Sequence, residues 1–227
     1  MVKKGLFFDF GGTIVTDESD HRLHLMMTRE IVKKYRLNLT PEEVDAFFNG
    51  FVKARLLTSH EKWPIIINAY KNAFTILLTA NKILVGKEDL QYFESLYLKL
   101  HKNYTEPFPN AIDVLRELSG EFYMAIISDI DNNIIFPILE KLNILNLFKH
   151  ITTSEEVGVG KPNPKIFEVA LNKAGLKPED AVYIGNSLKH DVEGARKIGM
   201  DYIHFGEEVK NWIELKNEII RRYKNGG

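Results

Sequence analysis

A chain of 227 residues sits between one ordinary domain and two, and 44% hydrophobic with 27% charged residues suits a sizeable core rather than a disordered segment. Lys and Arg total 30 against 31 for Asp and Glu, so no basic excess advertises nucleic acid and no like-charge block forms a tail. Cysteine is absent, which excludes disulfides, thiolate metal sites and cysteine nucleophiles. The opening MVKKGLFFDF holds too short an apolar run for a signal peptide or membrane span, so a cytoplasmic protein is the expectation. A single Gln beside abundant Lys, Glu and Ile hints at a thermostable protein, although Asn is plentiful.

Taken in chain order, Gly5 to Phe8 is a short apolar run that stops at Asp9 and meets Gly11-Gly12, the pattern of a buried strand entering a tight turn. No second strand follows at the usual interval. Residues from about 20 to 104 read as helices instead. Leu23, Met26, Met27, Ile31 and Tyr35 form one stripe, and Thr40-Pro41-Glu42-Glu43 is a capping box opening the stripe Val44, Phe47, Phe48, Phe51, Val52 and Leu56. Trp63 to Leu78 is a third helical stretch, and Leu90, Phe93, Tyr97, Leu100 and Tyr104 mark a fourth. Four amphipathic helices with short links predict a bundle.

After Pro107 and Pro109 the pattern changes to alternation. Helices are expected at 110–118, around 134–142, and at 164–174, 188–198 and 209–223; strands are expected at 123–127, 151–153, 181–184 and 202–205. Strands alternating with helices imply a parallel sheet with right-handed crossovers. The expected fold is therefore α/β: a Rossmann-like parallel-sheet core from residues 1–16 and 106–227, with residues 17–105 inserted as a four-helix bundle.

Parallel sheets place ligand sites at the carboxyl ends of their strands. There the sequence puts Asp9, Ser128, Asn186 and, slightly further on, Asp191, with Lys161 in the proline-stiffened run Lys161-Pro162-Asn163-Pro164. A carboxylate, a hydroxyl, an ammonium and metal-type oxygens in one crevice suit an anionic substrate. Each has a plainer reading taken alone. Asp9 could cap a turn, Ser128 and Asn186 could cap the helices that follow, and Lys161 and Asp191 could simply face solvent.

The joint ordering resembles the haloacid dehalogenase (HAD) superfamily, through FFDFGGTI, MAIISD, GKPNPKIF and YIGNSLKHDVEGARKIGM. With a helical insert in the first cap position, the resemblance covers essentially the whole chain. It implies a hydrolase, most simply a phosphatase of small phosphate monoesters that works through an aspartyl-phosphate on Asp9. Lys161 and Ser128 match the residues that hold the transferring group, with Phe10, Gly11 and Asp129 beside them. Asp9, the Gly11 carbonyl, Asn186 and Asp191 fall where the family holds Mg²⁺. The physical logic agrees, because a carboxylate repels a phosphate dianion and attack needs cations to cancel charge.

Two positions depart from the phosphatase pattern. The second aspartate of the first motif, the general acid and base, is Gly11, and the first acid of the fourth motif is Asn186. A positioned acid or base is worth roughly 10²–10⁴ in rate, so slow turnover is expected. Asp17, Asp129 and Asp131 are candidate replacements. Members that hydrolyse 2-haloacids without metal also lack the second aspartate, which makes dehalogenation the rival reading; a catalytically weakened binding protein is a third. Candidate cap residues for substrate are Arg55, His60, Lys62 and Trp63, with Lys53 and Lys62 for an enzyme whose cap supplies a lysine, and His21 and His24 nearer the core. The expected partner is a small phosphate ester, with no nucleic acid and no membrane. Oligomeric state is not legible.

Overall fold

The computed structural model describes residues 5–58 and 65–223. The chain divides into two compact units: Met1–Asp17 with Glu106–Asp129 and Leu139–Gly227, and Glu18–Thr105 with Ile130–Ile138. The short second segment of the latter is one that the hydrophobic pattern assigned to the α/β core.

The first unit is a five-stranded parallel sheet in the order β3-β2-β1-β4-β5. Its strands are β1 (Gly5–Phe8), β2 (Tyr123–Ser128), β3 (His150–Thr153), β4 (Ala181–Gly185) and β5 (Asp201–His204). The central strand β1 aligns Phe8 with Ile126 on one side and with Ile184 on the other, and the Asp9 amide continues the ladder to the Ile184 carbonyl at 2.8 Å. The chain builds outward through β2 and β3, then returns to the far side of β1. Asp9 thus leaves the sheet where the strand order reverses, the usual crevice for a ligand in such sheets.

Successive side chains of β1 point to opposite faces. Phe7 joins Ile127, Phe167, Leu171, Tyr183 and Ala195 in one buried cluster. Phe8 stacks on Trp212 with ring centroids 5.8 Å apart, and the Trp212 indole N–H donates to the Thr13 carbonyl at 3.0 Å. That pair fastens the C-terminal helix (Trp212–Tyr223) to the turn after β1. This helix starts three residues later than its apolar pattern suggests, because the Asn211 side chain accepts the amides of Ile213 and Glu214 and sets the first turn there.

The helical unit contains α1 (Asp17–Tyr35), α2 (Pro41–Thr58), α3 (Ile66–Ala80) and α4 (Lys87–Tyr104). The expected capping box opens α2: the Thr40 amide donates to Glu43 Oε2 at 2.7 Å and the Glu43 amide to Thr40 Oγ1 at 3.2 Å. Phe48, Phe74, Phe93 and Tyr97 are buried, and the rings of Phe74 and Phe93 stack at 4.8 Å. Of the α2 stripe, Val44, Phe48 and Val52 are buried whereas Phe47 stays exposed. Burial, with His24 alongside, pushes the His101 imidazole down to about 4.

The second segment of this unit is explained by one side chain. Asp131, fully buried, accepts the amide of Ile66 at 2.8 Å through one oxygen and that of Ile67 at 2.7 Å through the other. A carboxylate here satisfies otherwise orphaned donors and complements the helix dipole. No helix among the described residues is long and apolar enough to cross a membrane.

Candidate active site

Three charged side chains that are far apart in sequence meet at the carboxyl edge of the sheet. The Lys161 Nζ lies 2.7 Å from Asp9 Oδ1 and 2.6 Å from Asp191 Oδ1. All three are buried, with exposures of 7% for Asp9, 4% for Lys161 and 1% for Asp191. The plainer readings of a solvated Lys161 and a solvent-facing Asp191 therefore fail.

Local structure explains the convergence. Lys161 sits in the loop before the helix Pro164–Ala174 and is gripped through its backbone from two sides. Its amide donates to Asp129 Oδ1 at 2.9 Å, and its carbonyl accepts from His190 Nδ1 at 2.9 Å. Asp191 is aimed by a feature that the apolar pattern does not show. Residues 188–198, expected as one α-helix, are a π turn (Leu188–Val192) running into a short α-helix (Glu193–Lys197). Ser187, not Asn186, caps that turn by accepting the His190 amide at 3.2 Å. The wider turn lets Asp191 fold back, with Oδ2 accepting the Ser187 amide at 2.9 Å. Gly185 makes the room: a Cβ there would lie 2.5 Å from the Asp191 carboxyl carbon.

Tyr183 is the member that sequence reasoning missed. It looked like one more apolar strand residue, and its hydroxyl gave no signal. That hydroxyl accepts from Lys161 Nζ at 3.0 Å and lies 3.0 Å from the Ile127 carbonyl and 3.2 Å from Asp191 Oδ1. Burial, reinforced by Asp191, holds Tyr183 well above the ordinary phenol range, so it stays a neutral hydrogen-bonding group.

The charges do not balance within the cluster. Burial dominates at Asp9, opposed by Lys161 and reinforced by Asp191, and its carboxyl is pushed up to about 7. Burial alone would lower Lys161, but Asp9, Tyr183 and Asp191 outweigh it and hold the ammonium well above its usual value. Burial likewise raises Asp129, against the pull of Lys161. One ammonium faces more than one buried carboxylate, and the site has capacity for further positive charge.

Around Asp9 the remaining sequence candidates take distinct places. Ser128 is the last residue of β2 and is buried. In the helix that follows (Asn132–Lys141), the amides of Ile134 and Ile135 reach the Asp131 carbonyl. Asn186 lies against the turn after β1, with Thr13 Oγ1 at 3.5 Å from its side-chain oxygen. Gly12 adopts φ 70°, and a Cβ there would fall 2.1 Å from Asn186 Nδ2, so only glycine lets the amide approach this turn. Gly11 by contrast is exposed, and a Cβ on it would meet nothing within 4 Å. Beside Asn186 a cavity of about 450 Å³ opens, lined by Gly12, Leu188, His204, Gly206 and Lys210 among others.

Some candidates stand elsewhere. Asp131 has both carboxylate oxygens engaged at the α3 N-terminus, which removes it as a replacement acid. Asp17 is exposed at the start of α1, and Arg55 and Lys53 are exposed on α2 of the helical unit. His60, Lys62 and Trp63 lie outside the described residues.

The haloacid dehalogenase-like hydrolase family matches residues 6–205. The chain belongs to that family. As a haloacid dehalogenase-like hydrolase it is 27% identical over 209 residues to the glyceraldehyde 3-phosphate phosphatase of Methanothermobacter thermautotrophicus, covering 91% of this chain and 87% of that one. Among solved structures it resembles the magnesium-bound HAD hydrolase YfnB of Bacillus subtilis, with a TM-score of 0.75 at 18% identity over 96% of this chain and 98% of that one. The L-2-haloacid dehalogenase of Xanthobacter autotrophicus superposes with a TM-score of 0.66 at 15% identity, over 98% and 84%. At such identities these two likenesses speak for the haloacid dehalogenase-like fold alone.

Proposed function

We propose that this hydrolase is a phosphatase of small phosphate monoesters that uses Asp9 as its nucleophile. The observation that carries the reading is the buried Asp9–Lys161–Asp191 arrangement, a carboxylate held 2.7 Å from a fixed ammonium at the strand-order reversal. The phosphatase named above, alignable over nine-tenths of this chain, supports it.

In this reading one Asp9 oxygen forms a bond to phosphorus while the ester P–O bond breaks and the leaving oxygen takes up a proton from solvent water, Gly11 offering none. Lys161 neutralises the phosphoryl oxygens and keeps the nucleophile oriented. Ser128, with the backbone at Phe10, Gly11 and Asp129, completes the cradle for those oxygens. Asp191 and Tyr183 act as positioning residues that hold the ammonium. Water then cleaves the acyl phosphate and restores Asp9.

The donor set also fits Mg²⁺, since Asp9, the Gly11 carbonyl, Asn186 and Asp191 all offer oxygen and the buried carboxylates exceed the ammonium in charge. Asp191 has the least capacity, because Lys161, Tyr183 and the Ser187 amide already occupy its oxygens. A bound Mg²⁺ would supply charge cancellation between the carboxylate and the incoming phosphate. Asn186 gives one negative charge less than an aspartate there, so weak Mg²⁺ binding is expected. The helical unit serves as the cap in this reading, and selection among phosphate esters falls to it.

Gly11 specifically favours the second reading, hydrolysis of 2-haloacids, since nothing at that position supplies an acid or base. One experiment separates the readings. Para-nitrophenyl phosphate and glyceraldehyde 3-phosphate are offered with Mg²⁺, with EDTA, and to Asp9→Asn. Metal-dependent turnover that disappears in the variant is the expected result. Halide release from 2-chloropropionate, indifferent to EDTA, would establish the dehalogenase instead. Silence on both substrates would leave a binding protein.

A further inference from the structure

The described residues hold a second group of metal-type donors, Asp20, His24 and His101, each offering an atom within 4.8 Å of the other two. Asp20 and His24 lie in the first turns of α1 and His101 in the last turn of α4, the two ends by which the chain enters and leaves the bundle. His24 and His101 are 5% and 6% exposed, and two imidazoles buried side by side in a helical bundle call for a reason.

Their outer contacts point to one. His101 Nδ1 lies 2.8 Å from the Tyr97 carbonyl; a carbonyl only accepts, so Nδ1 carries the proton and Nε2 presents a lone pair. That Nε2 faces Asp20 Oδ1 at 3.8 Å, one acceptor opposite another. His24 has a matching partner, with Nδ1 3.6 Å from Asp45 Oδ1. Asp45 is 6% exposed, and this oxygen has no hydrogen-bond partner among the described residues. Its other oxygen accepts from Asn49 at 3.1 Å, and Asn49 accepts from the Tyr70 hydroxyl at 3.1 Å, so the carboxylate is fixed in place facing His24. One imidazole backed by a carbonyl and another by a carboxylate form the outer shell that orients metal-binding histidines.

We propose that Asp20, His24 and His101 form a transition-metal site of the Zn²⁺ class, with Asp45 and the Tyr97 carbonyl as its outer shell. Two imidazole nitrogens and one carboxylate oxygen suit Zn²⁺ and leave a fourth position for water, whereas Mg²⁺ prefers oxygen throughout. Bonds of ~2.0–2.1 Å in a tetrahedron bring the ligand atoms to roughly 3.3 Å from one another. Asp20, exposed on α1, has the freedom to close that difference. An ion there would tie the start of α1 to the end of α4. The site is independent of the chemistry proposed at Asp9.

The test is Zn²⁺ titration by calorimetry on the full chain stripped of metal, in excess Mg²⁺, with Co²⁺ absorption as the spectroscopic probe. Wild type is expected to bind one equivalent that gives the Co²⁺ bands of a nitrogen-containing site. Asp20→Ala and His24→Gln should each weaken binding at least tenfold and remove those bands, and Asp45→Asn should weaken it about 10–100-fold. Absence of Zn²⁺ uptake at micromolar concentration, or equal affinity in Asp20→Ala and wild type, would overturn the proposal. Should His24→Gln not fold, Asp20→Ala decides alone, because its side chain is exposed and its loss leaves the bundle core intact.

Discussion

The two buried polar clusters of this protein, one in each unit, handle charge in opposite ways. In the α/β unit Lys161 brings a permanent ammonium between Asp9 and Asp191, so much of the compensation is covalently part of the chain. In the helical unit Asp45 faces an imidazole rather than an ammonium or guanidinium, and among the described residues one of its oxygens accepts no hydrogen bond. The first cluster draws its one fixed cation from the chain itself, whereas the cation proposed for the second comes from outside. Asp131 is a third solution, since two backbone amides at the start of α3 compensate a fully buried carboxylate. Burial of a carboxylate is thus not diagnostic of chemistry; what it faces is.

Removing the built-in cation is the harshest test of this contrast. Lys161→Met should cost about 3–5 kcal/mol of unfolding free energy, because it strands Asp9 and Asp191 without their partner. It should also lower phosphatase turnover by at least three orders of magnitude, an order-of-magnitude expectation for losing a preorganised charge at the reacting group. Denaturant melts and assays on one preparation would check both, and near wild-type stability would mean that the ammonium is not what compensates the pair.

Adding a carboxylate probes the same cluster from the other side. Gly11→Asp should raise turnover of phosphate monoesters by about tenfold or more, since a general acid returns to a position whose Cβ meets no neighbour within 4 Å. An unchanged rate would show that the acid missing at Gly11 does not limit turnover. In the helical unit, Asp131→Ala should destabilise the protein by roughly 1–3 kcal/mol through two orphaned amides. Hydrogen exchange at Ile66 and Ile67 should quicken ahead of the rest of α3, and uniform protection would show that the cap is not the source.

The smallest effect belongs to the surface, where solvent screens the ion pairs. Glu218 accepts from Arg221 at 2.8 and 2.6 Å, and these bonds, with those from Arg222, draw its carboxyl down to about 2 from an ordinary 4.5. A depressed carboxyl stabilises the fold above its unfolded value and loses that contribution as pH falls from about 4.5 toward 2. Screening should limit the amount to under about 1 kcal/mol. The stability gap between wild type and Glu218→Gln, followed by thermal melts, should therefore narrow across that window and stay flat above it.

How much of this was readable from the residues differs between the clusters. Asp9, Lys161 and Asp191 lie in motifs whose order and spacing marked them, because a parallel sheet must deliver strand ends to one edge. Tyr183 was hidden, since a strand pattern registers its ring and not where its hydroxyl goes. The π turn was hidden too: over a single turn, a stripe of helical period cannot distinguish hydrogen bonds spaced four residues apart from those spaced five apart. Asp131 looked like one more acid after a strand, and only the packed chain brings it to the start of α3.

By itself the sequence determined the layering of parallel sheet and helices, the helical insertion after the first strand, and the family, because periodicity and motif spacing are local properties. Tertiary structure alone decided which buried groups face which. Asp9 meets a lysine 152 residues away and His24 an imidazole 77 residues away. Charge compensation acts over a few ångströms of space, and separation along the chain carries no record of it.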